Sequence, residues 1–177
     1  MRQLGAAAVI LLLGAFGSSG AAASSDELDT SVRHGLALAL FEQACIAKAP
    51  DFTATPEVFI AMGLVRPEDK ATYRNNEVGL YGGIIPLNSG GIAGRQCSVL
   101  LKDGVLPILV VGLRETLEQI SVPDTLLETP PTVADDPVLW DFRLPKIGLV
   151  SVTAGMHESG IAMIGMQVAE RTGVTGR

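Results

Sequence analysis

Histidine and cysteine are scarce in this chain, two of each in 177 residues, and tryptophan occurs once. Each shortage removes a class of chemistry. A structural or catalytic zinc site draws most of its ligands from Cys and His, whereas His34 and His157 stand far apart in the sequence and Cys45 and Cys97 are the only cysteines. Lys and Arg form no cluster, so the electrostatic footprint of a nucleic-acid-binding protein is missing. There is no Gly-x-Ser-x-Gly elbow to expose a nucleophile and no internal repeat. No cofactor, metal ligand or catalytic residue is therefore assigned. Nor is there an uninterrupted apolar run of the ~20 residues that a spanning helix needs.

What is present begins with an export pattern. Met1-Arg2 supplies one positive charge, Leu4 to Phe16 an apolar run, and Gly17 to Ala23 a series of small residues. That is the layout of a secretory signal peptide ending in an Ala-x-Ala site. Cleavage is expected after Ala23, giving a leader over 1–23 and a single domain over 24–177. A retained anchor is the alternative, and the shortness of the apolar run argues against it. Removing the leader takes away Arg2, so the 13 basic residues become 12 against 19 acidic ones. This acidity keeps a protein in solution and repels nucleic acid and anionic membrane. The expected location is the periplasm or the exterior, with no stable membrane span after cleavage.

In an oxidising compartment an even cysteine count reads as a bridge. Cys45–Cys97 is accordingly expected to be a disulfide. Closing a loop of that length removes about 4 kcal/mol of unfolded-state freedom in the chain-entropy view. A thiol nucleophile is the competing reading, but it leaves the second cysteine unexplained.

Periodicity then places the elements. Thr30 to Lys48 carries apolar residues at helical spacing over a wide arc, with Thr30 or Ser31 as the expected cap and Pro50 as the stop. His34, near its start, is read as solvated or hydrogen-bonded. Thr55 to Gly63 is a short helix, with Thr55 capping, Pro56 in the first turn and Gly63 terminating. Glu77–Tyr81 and Gly82–Leu87 read as strands with a bulge or kink at Gly82-Gly83. Asn88 to Gly94 reads as a loop leading into the strand Arg95–Leu101. That glycine-rich segment is no phosphate loop, because no Gly-Lys-Ser/Thr follows and the next element is a strand. Pro107 to Ile120 is an amphipathic helix with Leu109, Leu113, Leu117 and Ile120 inward and Arg114, Glu115, Glu118 and Gln119 toward water.

Val122 to Pro137 is proline-interrupted and acidic, and it lacks the alternating ligand loop of a calcium site. Val138–Leu144 alternates, placing Val138, Trp140 and Phe142 on one face. Ile147–Thr153 and Ile161–Val168 form a second pair of strands. They are apolar on both faces, as for central strands covered on each side or paired in a dimer. His157-Glu158-Ser159, between them, is the one cluster of acid, base and hydroxyl. Consecutive turn residues point in different directions, so it is read as a surface turn.

Phe41-Glu42-Gln43-Ala44-Cys45, then Pro50-Asp51-Phe52, a Gly-rich hairpin into Arg95-Gln96-Cys97-Ser98-Val99, and the late Trp140 resemble a type of small exported bacterial (periplasmic) protein with two cysteines. The resemblance implies a fold and a location and brings no activity with it.

The expected fold is α+β: an antiparallel sheet of about five strands, with the 30–48 and 107–120 helices packed on one face and one disulfide. The expected function is that of a non-catalytic envelope protein binding a protein or small-molecule partner. The alternatives are a small secreted hydrolase using carboxylates or the His157-Glu158-Ser159 loop, and a self-associating homo-oligomer.

Overall fold

The computed structural model describes residues 25–68, 70–89, 92–132, 136–157 and 159–169. The expected leader and Glu158 lie outside them. Three helices and seven strands follow one another as α1 (Ser25–Phe41), α2 (Thr55–Ala61), β1 (Tyr73–Asn75), β2 (Leu80–Ser89), β3 (Ile92–Leu101), α3 (Leu106–Ile120), β4 (Leu127–Thr129), β5 (Val138–Leu144), β6 (Gly148–Met156) and β7 (Ala162–Ala169). A π-helical turn, Glu42–Ile46, continues α1.

The strands make one sheet in the order β1-β2-β3-β7-β6-β5-β4, antiparallel throughout. Two meanders, β1-β2-β3 and β4-β5-β6-β7, meet where β3 pairs with β7. α3 carries the chain from the middle of the sheet to its far edge. The α+β class and the antiparallel sheet agree with expectation, but seven strands replace about five. The two additional ones, β1 and β4, are three-residue edge strands, too short for a period of two to register in the sequence.

Register explains the core. In β3, Cys97, Val99 and Leu101 point to the helices; so do Val150, Val152 and Ala154 in β6 and Ala162, Ile164, Met166 and Val168 in β7, all buried. Trp140 and Phe142 of β5 join them, fully enclosed. Across from them lie Ala37, Leu40, Phe41 and Ala44 of the first helix and Leu109, Leu113 and Leu117 of α3, in one continuous cluster. All three helices therefore cover the same face of the sheet.

Three contacts fix the helices in place. Cys45 and Cys97 form a disulfide with a Cα–Cα distance of 5.4 Å across 52 residues of sequence, tying the end of the first helical segment to the middle of the sheet. Gly112 lets α3 approach α1 closely: a Cβ there would stand 2.4 Å from Leu38 Cδ1. His34 is buried at 2% exposure and bridges α1 to the start of α3. Its Nδ1–H donates to the Thr30 carbonyl at 2.6 Å and its Nε2 accepts from Val105 N–H at 2.8 Å. A carbonyl can only accept and a backbone N–H can only donate, so these partners specify the neutral Nδ1–H tautomer.

Local expectations are corrected in four places. α1 begins at Ser25, so Thr30 and Ser31 lie inside it and do not cap it. Thr55 does not cap α2; its hydroxyl donates to the Ala44 carbonyl at 2.6 Å and ties α2 to the π-helical turn. β2 is one unbroken strand, with no bulge at Gly82-Gly83. Gly82 is required because the Phe59 ring lies over it, 2.7 Å from where a Cβ would be. Pairing of β2 with β3 continues to Ser89↔Ile92, so residues 88, 89 and 92–94 of the expected 88–94 loop belong to strands, and Gly90 and Gly91 lie outside the described residues.

Candidate functional site

Among the described residues, the other face of the sheet carries no helix. Its side chains run in rows across the strands, set by the register. One row is Tyr81, Leu100, Met163 and Gly155, on β2, β3, β7 and β6. The next is Gly83, Ser98, Gly165 and Thr153, and the third is Ile85, Gln96, Gln167 and Ser151, which continues to Asp141 on β5. A ridge of large apolar side chains thus lies beside a trough of small residues, and beyond the trough stands a polar row.

The polar groups of this face are bonded to one another. Gln96 lies across the sheet, its Nε2 donating to Ser98 Oγ at 3.0 Å. That amide rests 2.8 Å from where a Cβ of residue 165 would be, so glycine is what lets Gln96 lie flat. Thr153 Oγ1 donates to the Gly165 carbonyl at 3.4 Å, and Ser151 donates to the Asp141 carboxylate. Among the described residues no buried side-chain nitrogen or oxygen lacks a partner.

Charge is missing from the centre of this face. Across β2, β3, β7 and β6 every outward position is apolar, glycine or uncharged polar. The charged residues stand at the flanks, Arg74 on β1 and Asp141 and Arg143 on β5. A sheet face left to water is ordinarily the polar half of an alternating pattern. Here the chain is acidic overall, and its charge has been placed elsewhere.

The sheet edges are closed more thoroughly. β4 covers part of β5, and beyond it Val122 N–H donates to the Arg143 carbonyl at 2.9 Å while Arg143 N–H donates to Thr125 Oγ1 at 3.2 Å. β1 covers β2 only as far as Gly82. The rest of that edge contains Pro86, which has no N–H to offer an incoming strand.

On β4, Glu128 holds the middle of α3. Arg114 grips its carboxylate through two parallel bonds of 2.7 and 2.6 Å, and Trp140 Nε1–H donates to it at 2.8 Å. The Arg114 bonds, supported by the indole, hold the Glu128 carboxyl below its usual range against the opposing effect of partial burial. The same bonds push Arg114 up. Arg114 faces water as expected, while Glu128, expected in a solvated loop, lies on the edge strand β4; their ion pair ties the helix to the sheet edge. The indole nitrogen is the sequence signal for it, since a buried tryptophan needs an acceptor.

The remaining candidates are structural. His157 Nδ1 meets Ser159 Oγ at 2.8 Å, so these two side chains do converge despite the expectation that they would not. The same nitrogen also accepts Ser159 N–H at 3.3 Å, which makes the imidazole a brace for its own turn. Two shallow clefts, of about 500 and 340 Å³, share Asn76 and Glu77 near the start of β2. The second holds Arg33, whose guanidinium already donates to the Val78 and Lys102 carbonyls at 2.9 and 2.5 Å. Among the described residues no three of His, Cys, Asp and Glu gather as metal ligands, and no helix is long and apolar enough to cross a membrane.

No known family model, curated protein or solved structure matches this chain.

Proposed function

We propose that this chain is an exported, non-catalytic binding protein of the cell envelope and that the open face of its sheet is where a partner docks. The observation that carries the reading is the absence of charge over four adjacent strands. Protein interfaces are depleted of charge at their centres and enriched in residues such as Tyr and Met, and this face bears Tyr81 and Met163 in one row. Its polar groups are paired laterally, so a partner can cover them without stranding donors or acceptors. Export is supported by the leader pattern of the first 23 residues together with the Cys45–Cys97 disulfide, a bond that persists in oxidising compartments. The likeness to small exported two-cysteine proteins points the same way.

The test is co-purification from the native envelope with Met163→Lys as the face variant and Glu115→Lys as a control on the helix side. The wild-type chain and the control should retain a bound component that the face variant loses. Equal retention by all three would remove the face from consideration. Recovery of the chain from the cytosol with its leader attached and both thiols free would overturn export.

A further inference from the structure

We infer that the occupant of the open face is a second copy of this chain, packed sheet against sheet across a two-fold axis. The inference rests on the docking-face reading above and supplies the partner it leaves open. Four observations carry it.

The first is shape. The ridge Tyr81–Leu100–Met163 runs parallel to the trough Gly83–Ser98–Gly165, one residue pair further along the strands. A half-turn about a line lying in the face between the two rows keeps each strand over its counterpart and exchanges the rows. The ridge of each copy then sits over the other's row of small residues, where the Gln96 amide lies flat against Gly165 and Ser98. Self-complementarity of this kind is what an isologous interface requires, and the half-turn reverses strand direction while keeping the strands aligned, as in a sandwich of two sheets.

The second is charge. The mature chain is strongly acidic, so two copies repel wherever their charged surfaces meet. The central part of this face brings no charges together. A foreign partner steered by electrostatics would leave the opposite signature, a patch of one sign.

The third is area. The four uncharged strands together with β5, whose outward Asp141 and Arg143 stand at the rim, are spaced ~4.8 Å apart, run roughly 25–30 Å and span about 600–700 Å². Stable interfaces bury roughly 600–1,000 Å² on each partner, so the face is large enough without further elements.

The fourth is the pattern of β6 and β7. Their inward residues fill the core, and their outward residues join Leu149, 64% exposed, and Met163 to the uncharged Ser151, Thr153 and Gln167. An outward face that mixes apolar with laterally bonded uncharged groups suits a second cover, and among the described residues the helices cover only the other face.

Analytical ultracentrifugation of the disulfide-bonded chain purified from the envelope tests this, beside co-purification of two differently tagged copies expressed together. The wild type should sediment as a dimer at roughly 10 μM, and the two tags should co-purify. Met163→Lys and Leu100→Lys should weaken self-association at least tenfold and separate the tags, with circular dichroism and melting temperature confirming that both variants fold. Glu115→Lys should leave the dimer intact. A monomeric wild type at roughly 100 μM, with tags that do not co-purify, overturns the second copy. Should a different protein then be held by the wild type and lost by Met163→Lys, the docking face stands with another occupant. Should the face variants lose nothing at all, both readings fall. A wild-type dimer left undisturbed by the two lysines would overturn the proposed geometry.

Discussion

The two faces of this sheet are built from the same strands and differ in everything else. On the covered face alternate residues are Cys97, Val99, Val152, Ile164 and Trp140, packed under three helices and sewn to the first by a disulfide. On the open face the residues between them are Ser98, Leu100, Thr153, Gly165 and Asp141. The covered face holds the molecule together through burial, at about 25 cal/mol for each Å² of apolar surface removed from water. The open face contributes little of that kind, yet it lacks the charges that would make it an ordinary wet surface. The difference teaches that the fold needs only one of the two faces for its core, and the docking proposal concerns the other.

Neighbouring residues allow the contrast to be broken one step at a time. The largest effect is expected at β6. Val152→Asp puts a carboxylate among the helices and should cost more than about 4 kcal/mol, so that no cooperative transition survives in a thermal melt. Thr153→Asp, one residue on and facing out, should cost about 1 kcal/mol or less in the monomer. Equal damage at both positions would mean that the open face is itself a core.

Next comes the covalent tie. Replacing Cys97 by Ser together with Cys45 by Ser should lower stability by about 2–4 kcal/mol, read from denaturant midpoints at unchanged slope. The open-face rows should keep their register, which hydrogen exchange at β7 would report.

Adjacent glycines sharpen the comparison further. Gly82→Ala drives a methyl into the Phe59 ring and should destabilise by about 1–3 kcal/mol. Gly83→Ala meets nothing within 4 Å and should be neutral or stabilise by about 0.5 kcal/mol.

The smallest effect concerns Glu128. Its carboxyl lies below the usual range in the fold because of Arg114 and Trp140. A carboxyl depressed on folding contributes stability that is present above its unfolded value and is lost as pH falls through the depressed one. Acidification through and below the ordinary carboxylate range should therefore loosen α3 from the β4 edge, with a change in the emission of Trp140, the sole tryptophan. Glu128→Gln should abolish that pH response. An unaltered response in the variant would assign it to another group.

Much of this was legible in the sequence for identifiable reasons. The five long strands and the helices alternate in hydropathy at the periods their geometry demands, so their existence could be read from Leu109, Leu113 and Leu117 or from Val138, Trp140 and Phe142. The boundaries were less legible. β2 reads as two strands because Gly82-Gly83 resembles a break, and only the Phe59 ring arriving from α2 explains why glycine is there. β1 and β4 are too short to carry a period. The open face was visible only in part: β6 and β7 read as apolar on both sides, but nothing along the chain shows that Gly83, Ser98, Gly165 and Thr153 stand in one row. Arg114 and Glu128 looked like separate surface charges because they belong to elements that meet only in the folded molecule.

By itself the sequence determined which residues turn inward, since alternation along a strand and the turn of a helix are properties of neighbours. It also determined that two cysteines had only each other to pair with. Tertiary structure alone decided what lies side by side across strands, because register is settled by the packing of one whole face against the helices. Once Cys97, Val99 and Leu101 are held inward, Gln96, Ser98 and Leu100 have no choice but to face out, and the rows that they form with β2, β7 and β6 are a consequence of the core rather than of any local signal.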